Sequence, residues 1–143
     1  MLIALGIGNP NRRDDRAGLV AARLLRRRCR SVVVIIGGVT PEGSTAVLRA
    51  ARPDAILLID AVHFGEEPGY AAFLTEADLT GRPAWSSHRP PLALLMRYLA
   101  AETGARVLLL GIQPADTGWG RAITPAVRDG IRRAVDMAER PPL

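Results

Sequence analysis

Short aliphatic runs alternate along this chain with longer stretches in which apolar positions recur at helical spacing. Leu2–Ile7 is a continuous apolar run stopped by Gly8-Asn9-Pro10, which predicts a buried strand. Asp14-Asp15 then opens a predicted helix running to about Arg28, with its acids in the first turn where the helix dipole favours them. Residues 32–36 are β-branched and predict a second strand ending at Gly37-Gly38. A short helix is expected over 44–52, with Ser44 or Gly43 near its cap. Residues 55–59 predict a third buried strand, ending at Asp60, and 70–74 a short edge strand. Beyond a Pro/Gly-containing loop at 81–91, residues 92–102 have a helical pattern, and Pro90-Pro91 suits its start. A strand over 106–110 and a closing helix over 125–139 complete the pattern.

Strands that are apolar throughout and alternate with helices predict an α/β fold. Its expected form is a three-layer αβα sandwich around a mainly parallel, twisted sheet. The 143 residues suit one domain spanning 1–143, and no repeat or linker divides them. This architecture locates a site before any motif does. Ligands of open parallel sheets gather beyond the carboxyl ends of the strands. Three polar segments fall there: 8–15, 37–42 and 60–69.

Composition changes this picture little. The single cysteine, Cys29, forms no internal disulfide and is expected to be buried on a helix. The first residues lack a charged leader and soon reach Gly8-Asn9-Pro10, unlike a signal peptide. No apolar run approaches the roughly 20 residues that span a bilayer. A cytoplasmic, soluble monomer is the expectation. The net charge of +5 invites a nucleic-acid reading. All 19 basic residues are arginine, however, which looks like codon bias. The dense run Arg26-Arg27-Arg28 lacks interleaved aromatics for stacking bases and suits a helix C-terminus. No nucleic-acid partner is expected.

The candidate chemistry lies in the three loops. Gly6-x-Gly8 lacks the third glycine and the acidic strand end of a dinucleotide fingerprint. Neither Ser86 nor Ser87 lies in a nucleophile elbow. Asp15 and Asp60 stand at or just beyond strand ends, where burial is costly unless a carboxylate is paired, hydrogen-bonded or bound to metal. With His88 from a separate loop they make a plausible divalent metal site of two carboxylates and one imidazole. The alternatives are a first-turn charge for Asp15, an N-cap or turn residue for Asp60 and an exposed loop histidine for His88.

Gly8-Asn9 followed by Asp14-Asp15 and Ala17-Gly18 resembles the N-terminal motif of the [NiFe]-hydrogenase maturation endopeptidases. Gly37-Gly38 with Pro41-Glu42, and Leu58-Ile59-Asp60-Ala61 continuing to Gly65 and Pro68-Gly69, resemble the second and third motifs of that family. Ser87-His88 before Pro91-Leu92 matches its loop histidine. Gly111-Ile112-Gln113-Pro114 is similar to its hydrogenase 3 branch, and Thr124-Pro125-Ala126-Val127 fits its closing helix. Three positions depart from the family: Arg13 replaces a glycine, and Ile36 and His63 replace carboxylates.

The resemblance implies a single cut that removes the C-terminal extension of a nickel-loaded large-subunit precursor. Asp15, Asp60 and His88 would contact nickel carried by that substrate, with Asp15 and Asp60 also catalytic, and no organic cofactor is implied. The competing readings are a nickel-dependent binding or chaperone protein of the same fold and a peptidyl-tRNA hydrolase, whose opening Gly6-Ile7-Gly8-Asn9-Pro10 also resembles. His63, three residues after Asp60, would border the metal if Ala61-Val62 formed a tight turn.

Overall fold

The aliphatic runs become five strands of one sheet in the computed structural model, which describes residues 1–82, 85 and 91–143. The strands are β1 (Leu2–Ile7), β2 (Val32–Gly38), β3 (Ala55–Ala61), β4 (Ala71–Leu74) and β5 (Arg106–Ile112). Their order across the sheet is β2-β1-β3-β5-β4. Four strands are parallel, and β4 closes one edge antiparallel to β5. The helices are α1 (Ala17–Arg28), α2 (Thr45–Ala51), α3 (Glu76–Thr80), α4 (Leu92–Thr103) and α5 (Pro125–Ala138).

Successive side chains of a strand point to opposite faces, and this sorts the core into two layers. Ala4, Leu57, Ile59, Leu108 and Leu110 face α1 and α5. Ile3, Leu5, Ile56, Leu58 and Leu109 face the other way, toward α2, α3 and α4. Each fully buried Leu or Ile contributes ~1.5–3 kcal/mol relative to exposure, so the two layers supply the main driving force. The three-layer expectation is met. Among the described residues, no helix is long and apolar enough to cross a membrane.

The structure departs from the sequence reading where strands meet loops. β2 runs through Gly37-Gly38, β3 through Asp60-Ala61 and β5 through Ile112. Parallel neighbours continue the ladder there: Asp60 lies opposite Gly111, Ala61 opposite Ile112, and Ile7 opposite Gly38. Asp14 and Asp15 do not form the first turn of α1. They occupy a separate 3-10 turn, Arg13–Arg16, and the first turn of α1 has no acid. Ser44 is the N-cap of α2 but makes no side-chain cap bond. Instead the Thr45 hydroxyl donates to the Glu42 carbonyl at 2.6 Å. Cys29 is half-buried just beyond α1, its Sγ 3.2 Å from the Ser31 hydroxyl.

Helix α3 was not expected. Its start is a reciprocal capping box in which Asp78 N–H donates to the Thr75 hydroxyl and Thr75 N–H to the Asp78 carboxylate. Pro91 caps α4, while Pro90 lies outside the described residues.

Candidate functional site

One end of the sheet gathers the three predicted loops because α1 rests directly on the strands. A methyl group on Gly18 would lie 2.2 Å from the Ile59 carbonyl oxygen and 2.3 Å from that of Ile7. Only a residue without Cβ permits this approach. A Cβ on Gly8 would likewise meet the Asp15 carbonyl oxygen at 2.2 Å. The glycines of the first motif therefore set the closeness of helix to sheet. They bring the 3-10 turn that carries Asp15 into contact with β3, which carries Asp60.

Asp15 is wholly buried, and its Oδ2 accepts the Asn9 N–H at 2.9 Å. The loop is tied further by Arg12 N–H to the Asn9 carbonyl and Asp15 N–H to the Arg12 carbonyl. Asp60 is also wholly buried, and it belongs to β3 rather than to a turn. Its Oδ1 accepts the Ala61 N–H at 2.8 Å. By strand alternation it shares the sheet face of Ile56 and Leu58, on the side of α2 and α4. Both aspartates thus stand at the carboxyl end of the sheet, one from the turn after β1 and one from the end of β3.

His88 lies outside the described residues, as do Ser86 and Ser87. Among the described residues, no three His, Cys, Asp or Glu side chains form a group able to hold a metal ion. The tight turn imagined before His63 is not formed. Ala61 completes β3, Val62 is buried with its N–H donating to the Ile112 carbonyl, and His63 is exposed.

Two side chains near the site have roles that sequence reasoning missed. Asp14, buried as fully as Asp15, accepts from the backbone N–H groups of Ala115, Asp116 and Thr124 and from the Thr124 hydroxyl, at 2.8–2.9 Å. It ties the segment between β5 and α5 to the turn that presents Asp15. Gln113 does the same for the third loop. Its Oε1 accepts from Phe64 N–H at 2.9 Å and Glu66 N–H at 3.3 Å, while its Nε2 donates to the Pro114 carbonyl. The motif containing Gln113 is readable in the sequence, but the N–H groups its Oε1 accepts from lie 49 and 47 positions away, with no side-chain pattern to reveal them.

Arg13 shows how one departure from the family pattern is accommodated. It has a φ of 40°, in the left-handed region that a glycine enters more easily. Its N–H donates to the Gly120 carbonyl and its Nε to the Trp119 carbonyl. The guanidinium lies where a Cβ on Gly120 would come within 3.1–3.2 Å of it. Arg13 is thus held by the loop after β5, and Gly120 leaves it room.

Comparison with known proteins agrees with this geometry. The family model of HycI, hydrogenase maturation protease, matches residues 19–141. The hydrogenase 3 maturation protease of Escherichia coli K12 is 30% identical over 96% of this chain and 88% of its own length. A putative hydrogenase maturation protease of Methanocaldococcus jannaschii is 28% identical over 79% of this chain and 72% of its own. The crystal structure of a [NiFe] hydrogenase maturation protease HycI from Thermococcus kodakarensis superposes with a TM-score of 0.83 at 28% identity. It covers 96% of this chain and 89% of that one. With its glycine-seated α1, its parallel sheet and its match over most of its length, this chain belongs to the hydrogenase maturation protease family.

Proposed function

We propose that this protein is an endopeptidase that removes the C-terminal extension of a [NiFe]-hydrogenase large-subunit precursor after nickel has been inserted. The observation that carries the reading is the full burial of Asp15 and Asp60 at one end of the sheet in a chain of this family. Two carboxylates held by backbone N–H groups are presented in fixed orientations, as recognition of a metal centre requires. With the imidazole of His88 they form a donor set suited to a divalent ion such as nickel. The nickel belongs to the precursor and is read by the protease as a sign that loading is complete.

Cleavage is hydrolysis by water. Asp15 or Asp60 accepts a proton from the attacking water as its oxygen bonds to the scissile carbonyl carbon. The C–N bond then breaks, and the leaving amine takes up a proton. The reaction belongs in the cytoplasm, where the precursor is assembled, and the protein acts as a monomer.

Nickel-loaded and nickel-free precursor, each incubated with the protein and weighed by mass spectrometry, test the reading. The loaded form should lose its tail and the unloaded form should not. Asp15→Asn, Asp60→Asn and His88→Ala should each cut processing at least ~100-fold while leaving circular dichroism unchanged. Binding of loaded precursor by the parent protein without any cleavage would favour a non-proteolytic partner instead.

A further inference from the structure

Away from the dense arginine run of the sequence, the fold gathers a second set of arginines around a groove. α1 and α5 lie side by side on one face of the sheet, and a groove of about 450 Å³ runs between them from their N-terminal ends to their middle turns. Its rim carries four guanidinium groups: Arg16 from the 3-10 turn, Arg121 from the loop before α5, and Arg128 and Arg132 one helical turn apart on α5. Its lining is aliphatic. Val20 and Leu24 of α1 and Ile123 are half-buried, and Ile131 of α5 is buried.

The same helix pair also carries a neutralised arginine. At the C-terminal ends, Arg28 is neutralised by Asp136 at 2.6 Å and Glu139 at 3.0 Å. These acids hold its guanidinium pKa above the ordinary value, chiefly through the Asp136 hydrogen bond. At the N-terminal ends, none of the four rim arginines has an ion-pair partner among the described residues. Arg16 instead donates to the Arg121 carbonyl, which fixes its head at the mouth of the groove. The positive ends of both helix dipoles add to the field there. A concave apolar floor under a positive rim is complementary to one kind of ligand: an apolar side chain flanked by carboxylates.

We propose that this groove seats an acidic, amphipathic segment of the protein being processed, with its carboxylates on Arg128 and Arg132 and an aliphatic side chain against Val20 and Ile131. This rests on the endopeptidase reading for the identity of the partner. The position supports it, since Arg16 follows Asp15 directly in the 3-10 turn and lines one end of the groove. A nucleic acid is disfavoured because the floor offers aliphatic groups rather than aromatic rings for bases to stack on.

The test compares the parent protein with Arg128→Glu/Arg132→Glu, Arg128→Lys/Arg132→Lys and Asp60→Asn. Each is assayed for binding and for cleavage of the nickel-loaded precursor at several salt concentrations. Charge reversal should raise KM ~10-fold or more with kcat unchanged, weaken direct binding in parallel and abolish the salt dependence. The lysine pair should keep most of the affinity, which shows that the fold is intact. Asp60→Asn should not cut, and whatever binding it keeps should depend on salt as the parent's does. Precursor binding that depends on the arginines in a parent protein that never cuts would uphold the groove and defeat the endopeptidase reading. Unchanged KM and binding on charge reversal would overturn the groove and leave cleavage standing. Failure of the parent protein to bind the precursor, or arginine-dependent binding of a 40-nucleotide RNA with precursor binding unaffected, would also overturn it.

Discussion

Asp14 and Asp60 are both wholly buried aspartates at the same end of one sheet, and they do opposite things. Asp14 reaches out of its turn and collects four donors from a segment more than a hundred residues away, using the acceptor capacity of both its oxygens. It organises another part of the chain. Asp60 is itself organised: it sits in a regular strand opposite Gly111, with one oxygen fixed by the next N–H. A carboxylate that fixes distant backbone has its geometry set by folding. On the reading proposed above, one held at a strand end is positioned for a ligand. Burial of charge therefore does not mark chemistry until the donors around it are assigned. On the proposed reading Asp14 and Asp15, adjacent in one motif, fall on opposite sides of that line.

The largest expected effect removes the seat on which the comparison depends. Gly18→Ala would drive a methyl into two strand carbonyls, and a loss of ~3 kcal/mol or more is expected in urea titrations. An unchanged midpoint would mean that α1 does not need its close approach, and the site would have to be assembled some other way.

The next pair of variants addresses the two aspartates directly. Asp14→Ala leaves three part-buried N–H groups without their acceptor and should cost ~1–3 kcal/mol. Asp60→Asn keeps the shape of the side chain in an intact strand, so its stability should stay within ~1 kcal/mol of the parent while processing is lost. Equal destabilisation by the two would erase the distinction drawn here.

An exposed aspartate supplies the lower bound. Asp54 accepts a hydrogen bond from the N-terminal ammonium, and that contact, reinforced by the ammonium charge, lowers its carboxyl pKa below the usual 3.8. Because the folded value is the lower one, the stabilisation is present above the unfolded pKa and is lost as pH falls through the folded value. Asp54→Asn should lower the melting temperature only slightly at neutral pH, as expected for a screened surface pair. Melting curves of the two proteins should converge once both folded and unfolded carboxyls are protonated. A difference that persists or grows in acid would assign the effect to something other than this ion pair.

Much of the fold was legible because parallel strands buried on both faces must be apolar throughout. Leu2–Ile7 and the core of Ala55–Ala61 declare themselves in that way. The ends were less legible. Gly37-Gly38 and Asp60 read as stops, yet a parallel neighbour supplied ladder partners that composition does not reveal. Helix α3 is too short for periodicity, although Thr75 and Asp78 carried its capping pattern. Of the site, the segments at the strand ends were readable from topology. The work of Asp14 and Gln113 was not, because most of their partners are backbone N–H groups far along the chain and such groups leave no mark on side-chain sequence.

The Asp14 contacts also set an order of events during synthesis. Their partners are residues 115, 116 and 124, so the turn carrying Asp15 cannot be fastened until the last strand and the start of the last helix exist. Contacts this distant in sequence form late, after the entropy of closing a long loop has been overcome. A partly synthesised chain can already carry Asp15, Asp60 and His88, yet it lacks the clasp that sets the first of them. If Asp15 serves the reaction as proposed, the emerging protein gains activity only when nearly its whole length has left the ribosome.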